Sequence, residues 1–254
     1  MNTFQGALSS GAFTVTAELP VIDQADVSAC LRLASALAEH VDAIQLGDHL
    51  PDTARVSSTA LAALLLREGI DVTPTLNCRD RNRIALQSEI LGMRAIGVTS
   101  MLLVRGEANS VRSQSLARRV FDVTGPELIA MAGEIDENRL LLGTGDQVPP
   151  PGTDWNASAL LEQSAAGARF LHLHPCFELD LIRSHMARLV EEKITWHYSV
   201  ILTLSPTEQG VDSCAQMIRD VSGIPGVSGI NLVCRDDPGT VISCLRSAGP
   251  LPVA

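Results

Sequence analysis

The chain has 254 residues, 46% of them hydrophobic, and a formal net charge of −10. That length suits one large domain, and the apolar content can supply a sizeable core. The acidic balance and the dispersed arginines exclude nucleic acid as a principal ligand, because phosphate neutralisation needs clustered Lys and Arg.

One event recurs along the chain: a short β-branched run, a loop, an amphipathic helical stretch, then the next run. The first strand is expected over Phe13–Leu19, where FTVTAEL alternates, and a helix from about Asp23 carries Val27, Cys30, Leu31, Ala34 and Leu37 at helical spacing. Asp42–Leu46 is the second strand, ended by Gly47, and the helix after it, about Thr53–Arg67, closes at Gly69. The third strand, Asp71–Leu76, leads through NCRD into a helix over Asp80–Ala95. Ser100–Val104 is the fourth strand; a polar stretch follows, and Pro126–Gly133 is expected to be helical with Pro126 in its first turn. Arg139–Gly143, Arg169–His174, Tyr198–Leu204 and Gly229–Val233 are the remaining strands. The helices between and after them fall at about Asn156–Ala166, beyond Pro175, at Thr207–Asp220 and at Pro238–Ser247. Gly143 and Gly145 read as turn residues. No composition shift divides the chain, so residues 1–254 are expected to form a single (β/α)₈ TIM barrel, for which about 250 residues is typical.

No apolar run approaches the ~20 residues that cross a bilayer, so no membrane association is expected. The opening residues, MNTFQGALSSGAF, lack a basic segment followed by an apolar one, so no secretory signal is expected. Six scattered cysteines without a CxxC fit reduced, structural thiols and a cytoplasmic protein.

In a barrel the chemistry gathers at the carboxyl ends of the strands. Those ends nominate Glu18, Gln45, Asp48, His49, Asn77, Asp80, Arg105, Glu107, His172, His174 and Asp236. A carboxyl group ending an apolar strand, as Glu18 does, is partly desolvated and suited to general acid work near neutral pH; capping the next helix is the plainer role. His172 and His174 share one strand face, a spacing compatible with a metal ligand pair, with Asp236 as a candidate third ligand. One histidine packed in the interior and the other lining a polar pocket is the simpler reading, and no metal is expected. The GTGDQV run lacks the third glycine of a dinucleotide fingerprint.

Several segments, in order and spacing, resemble the methylenetetrahydrofolate reductase superfamily. TAELP is similar to the family's first strand, TPTLNCRDRNR to its P-H-L-T-C-x-D/N segment, and GVTSMLLVRGE to its G-I-x-N-I-L-A-L-R-G-D signature. SAAGARFLHLHPCFELD is similar to its A-G-A-x-F-x-x-T-Q-x-x-F-D segment.

The resemblance implies reduction of 5,10-methylenetetrahydrofolate to 5-methyltetrahydrofolate, with Glu18 as the catalytic acid. It places Glu107 on a pterin-binding Asp and His174 on a substrate-binding Gln, with Gln45 and Asn77 as further substrate contacts. Thr75, Arg105, Gly106, Gly145 and Gln163 fall at cofactor positions. There Thr75 replaces a flavin-contacting His, Gly145 lies near a Tyr, and Gln163 replaces a Lys near the phosphates, with Asn156 and Ala159 also changed. These replacements count against tight FAD binding by the family's usual contacts; the hydride then comes either from a reduced flavin or directly from NAD(P)H. A non-catalytic or partner-dependent folate-binding subunit of the same fold is the alternative. A homo-oligomer or a protein partner is compatible with the sequence.

Overall fold

The computed structural model describes residues 3–19, 26–48, 56–107, 118–137, 139–235 and 237–251. Eight parallel strands close in chain order into a barrel: β1 (Thr14–Leu19), β2 (Ala43–Leu46), β3 (Val72–Asn77), β4 (Ser100–Val104), β5 (Leu141–Asp146), β6 (Phe170–Leu173), β7 (Ser199–Leu204) and β8 (Val227–Val233). The seam is the β1–β8 pairing, with Thr16 opposite Asn231 and Glu18 opposite Val233. Helices α1 (Phe4–Ser10), α2 (Val27–Ala38), α3 (Ser58–Arg67), α4 (Arg83–Ala95), α5 (Gly125–Ile135), α6 (Ser158–Ala165) and α7 (Leu179–Glu191) are followed by α8 (Pro206–Gln209), α9 (Val211–Ser222) and α10 (Pro238–Ala248).

Strand alternation divides the apolar residues into two cores. Outward residues such as Val15, Ala17, Ile44, Leu76, Leu103, Leu171 and Leu202 pack beneath the helices. Inward residues Ala43, Leu102, Phe170 and Ile201 form a smaller cluster with Phe4 at the amino end of the barrel. Above that plug the interior turns polar, with Thr16, Gln45, Thr75, His172, Thr203 and Asn231 all buried. The register places Glu18, Thr75, Gly145 and Thr203, from the odd strands, in one layer near the mouth. Gln45, Leu102, His172 and Asn231, from the even strands, form the layer beneath it.

Three elements differ from the sequence expectation. Helix α1 was not expected: it is capped by the Thr3 hydroxyl, ends at Gly11 in a left-handed conformation, and carries Phe4 into the barrel floor. Phe4 meets Phe170 edge to face at 5.0 Å, while its backbone N–H donates to Asp71 at 2.8 Å. Strand β5 runs on through Gly143 and Gly145, which are therefore strand residues and not a turn. A side chain at Gly143 would overlap the Phe170 ring, so the absent Cβ is what lets the floor plug fit. The expected helix at Thr207–Asp220 is broken at Gly210, whose φ of 79° ends α8 before α9 begins.

Several helix starts carry side-chain caps. Asp26 caps α2, Asn82 caps α4, and Thr124 with Glu127 forms a capping box ahead of α5. The expected helical residues 23–25 and 53–55 lie outside the described residues. None of the six cysteines is assigned to a disulfide among the described residues, and Cys176 alone of them is not buried. No helix among the described residues is long and apolar enough to cross a membrane.

Candidate active site at the barrel mouth

Because all eight strands are parallel, their carboxyl ends open at one mouth. In β1 the outward Val15, Ala17 and Leu19 are buried under helices, which turns Thr14, Thr16 and Glu18 inward. Glu18 lies beside Gln45 in the β1–β2 register. Its Oε2 accepts a hydrogen bond from Asn231 Nδ2 at 3.3 Å, and Asn231 Oδ1 accepts from the Thr16 hydroxyl at 2.9 Å. Burial pushes the Glu18 carboxyl above the usual carboxylate range, and the Asn231 amide opposes the shift without cancelling it. A group so placed holds a proton at higher pH than a solvated glutamate, as a general acid requires.

Across the barrel, β6 presents His172 and His174. His172 is buried, and its Nδ1 lies 3.3 Å from the Thr203 hydroxyl, with either atom able to donate. Desolvation drives its pKa down to about 3, with the neighbouring His174 adding to the effect, so the ring is neutral across the working pH range. Among the described residues His172 Nε2 has no hydrogen-bond partner, and neither has Thr75 Oγ1. His174 is exposed at the rim, and its Nε2 lies 3.6 Å from where a Cβ on Gly145 would sit. Gly145 is thus the open wall of the layer that holds Glu18, and the His174 imidazole leans over it.

The ends of β2, β3 and β4 form a second, charged cluster. Asp48 takes both Arg81 guanidinium nitrogens, at 2.8 and 2.9 Å, and also the Asn77 backbone N–H and side-chain amide, at 2.9 and 2.7 Å. Asn77 Oδ1 in turn accepts from the Arg79 backbone N–H at 2.9 Å. Asn77, expected as a substrate contact, therefore has both ends of its amide engaged within the protein. Arg79 is paired with Asp80 at 2.6 Å and also feels the charges of Asp48 and Glu107. Gly106 packs against this loop: a Cβ there would come within 3.2 Å of both Asn77 and Arg79, and its φ of 82° favours glycine independently. That close seat leaves the next residue, Glu107, exposed at the rim. Arg105 is exposed too, its guanidinium 5.3 Å from the Phe121 ring.

Gln163 stands apart from these groups. It lies on α6 with its Nε2 3.9 Å from the Cβ position of Gly125, the first residue of α5, and its Oε1 is buried without a partner among the described residues. His49 and Asp236 lie outside the described residues. Among the described residues no three His, Cys, Asp or Glu side chains are grouped to hold a metal ion. A groove of about 530 Å³ between α7 and α9, lined in part by Arg183, Val190, Asp220 and Ile224, opens away from the mouth at the helices' carboxyl ends. It draws no residue from the strand ends, where the polar groups described above gather. Sequence reading missed Asn231, Thr16 and Thr203. Each is a polar residue on an inward strand position, and that alternation was the available signal.

No sequence-family model matches the chain, and no curated protein sequence matches it. Among solved structures it is similar to tryptophan synthase α-subunits from the hyperthermophile Pyrococcus furiosus. One substituted variant superposes with a TM-score of 0.63 at 11% identity, covering 93% of this chain and 98% of that one. Another gives 0.64 at 12% identity, covering 93% and 96%. At such identities the likeness defines the class, a (β/α)₈ barrel, and goes no further.

Proposed function

We propose that the protein reduces 5,10-methylenetetrahydrofolate to 5-methyltetrahydrofolate, with NAD(P)H as hydride donor and without tightly bound flavin. The observation that carries this reading is Glu18: a carboxyl whose desolvation favours its acid form, at a strand end, inside the mouth of the barrel. In this reaction the protonated Glu18 gives its proton to N10 of the folate as the N10–methylene bond breaks. The electron pair of that bond stays on N10, and N5 forms the methylene iminium. Hydride from C4 of the dihydronicotinamide adds to the methylene carbon, and the Glu18 carboxylate regains a proton from solvent. Glu107, exposed at the rim, supplies charge that favours the cation, while His174 and Gln45 offer hydrogen bonds to the ring.

Three of the residues at the cofactor positions do not suit a flavin, whereas Arg105 keeps a cation at the rim. The Gln163 amide is packed against α5, Gly145 has no side chain, and the Thr75 hydroxyl faces the barrel interior. None of these supplies the cation that a flavin phosphate needs. No step is therefore routed through a flavin.

Steady-state turnover of methylenetetrahydrofolate by the purified chain with NADH or NADPH, and no added flavin, tests the proposal. Oxidation of the nicotinamide with formation of 5-methyltetrahydrofolate is the expected result. Folate binding without turnover under either nucleotide would overturn it in favour of a binding subunit that works with a partner.

A further inference from the structure

Glu18 has two carboxyl oxygens, and only one can carry the proton that is transferred. Oε2 faces Asn231, while Oε1 accepts no hydrogen bond from any described residue. Asn231 is fully buried and Thr16 nearly so, so neither has solvent as an alternative partner. The Thr16 hydroxyl has a single hydrogen and two acceptors in reach, Asn231 Oδ1 at 2.9 Å and the Ile230 carbonyl at 3.4 Å. The shorter contact takes the hydrogen. Asn231 Oδ1 then accepts from Thr16, and the amide N–H is turned onto Glu18 Oε2. With the amide reversed, its oxygen would face Glu18 and take the acid's own proton, leaving none to give away.

We propose that Asn231, oriented by Thr16, is the positioning residue that keeps the Glu18 proton on Oε1, the oxygen left for substrate. The inference rests on the acid role of Glu18 argued above. Three residues make the device, and the barrel seam makes the three residues neighbours: Thr16 pairs with Asn231 in the β1–β8 register, and Glu18 lies two positions on, on the same strand face. Thr16 touches no substrate in this scheme; it acts through Asn231.

Around Glu18 the other strands contribute Gln45 from β2, Thr75 from β3, Gly145 from β5, His172 from β6 and Thr203 from β7. Beyond this ring, the ionisable groups described at the mouth include His174, Arg105, Glu107, Asp146, Asp48, Arg79, Asp80, Arg81 and the ion-paired Glu208 and Arg235. All of these remain in place in the variants below.

The test uses Thr16→Val, Thr16→Ser and Asn231→Leu in the full chain, with two readouts. The first is the pH profile of kcat and KM for methylenetetrahydrofolate. The second is ¹³C NMR titration of the Glu18 carboxyl, assigned by difference against Glu18→Gln. Asn231→Leu removes a donor that favours the ionised carboxyl, so the Glu18 titration and the high-pH limb of kcat should move up together. In Thr16→Val, which keeps the shape of the side chain, kcat should fall on the order of tenfold with KM changed by less than about twofold, a part of the usual general-acid contribution. Thr16→Ser should restore it. If Thr16→Val keeps wild-type kcat, or Asn231→Leu moves neither the titration nor the limb, the positioning role is overturned. If the wild type never turns over, the NMR titration of Asn231→Leu still decides whether Asn231 governs Glu18, and only the reductase reading fails.

Discussion

Asp48 and Arg81 form a two-pronged ion pair at the barrel mouth, with their side chains only 4% and 11% exposed. The same carboxylate holds the backbone and side chain of Asn77 at the end of β3. It therefore ties the β2 and β3 ends into one rigid rim beside the glycine turn that carries Glu107. Breaking such a pair is costly because the remaining charge stays buried without its partner.

Asp48→Ala is expected to destabilise the protein by about 3–5 kcal/mol, on the order of 10 °C in Tm for a chain of this size. The double variant Asp48→Ala with Arg81→Met should recover a large part of that loss, since it removes both charges. Thermal unfolding of the two variants checks this, and equal losses in both would mean that the pair is not the source.

The floor plug offers a second stability test. Gly143→Val places a side chain into the Phe170 ring and is expected to cost about 1–3 kcal/mol, as overpacked cores do. Phe170→Leu with Gly143→Val should cost less than the sum of the two single changes. Chemical denaturation of the three variants measures the coupling, and strict additivity would show that the two sites do not meet.

Much of the barrel was legible because its strands alternate and its helices carry apolar residues at helical spacing between glycine and proline signals. Ser100–Val104 stands as expected, and Pro126 lies in the first turn of a helix as expected. What the sequence hid has physical reasons. Helix α1 spans 7 residues, too short to establish a periodic apolar face, and its meaning lies in Phe4 reaching Phe170. β5 is written with glycines because its partner on β6 is an aromatic ring, so a tertiary contact overrides local preference. Glu18 stood out as a lone carboxyl at a strand end. Asn231 did not, because it gains its role only when the barrel closes β8 onto β1, some 213 residues away in the chain. The HxH spacing correctly puts both histidines on one face. The step between layers then separates a buried neutral ring from an exposed one.

Stability should depend on pH through His172. Its folded pKa of about 3 lies below the ordinary value of 6.5, so the unfolded chain binds a proton that the folded one refuses. The stability that neutral His172 contributes is complete above 6.5 and is lost as pH falls towards 3, with a slope of up to about 1.4 kcal/mol per pH unit. Glu18 and Asp71, both raised by burial, act in the opposite sense as pH falls. A difference curve between wild type and His172→Gln therefore isolates the histidine. Urea unfolding across this range should show the wild type losing stability relative to the variant as pH drops, and a flat difference would mean that the ring is not held neutral.

Glu18→Gln separates chemistry from stability. The change is nearly isosteric and keeps a hydrogen-bonding head group, so folate affinity should hold within a few-fold. Proton donation is lost, however, and kcat should fall by about 10²–10⁴-fold. Stability should move the other way. A carboxyl whose folded pKa is raised stabilises the fold below its ordinary value of 4.5 and loses that contribution as pH rises through the folded value. At neutral pH and above, the glutamine variant escapes the cost of charging a half-buried, desolvated acid and should melt higher than wild type. Glu107→Gln, at an exposed rim position, should leave Tm unchanged while weakening both folate binding and turnover. Paired measurements of kcat, folate Kd and Tm on the two variants check this contrast. Wild-type turnover in Glu18→Gln, measured where chemistry limits the rate, would assign the acid to another group.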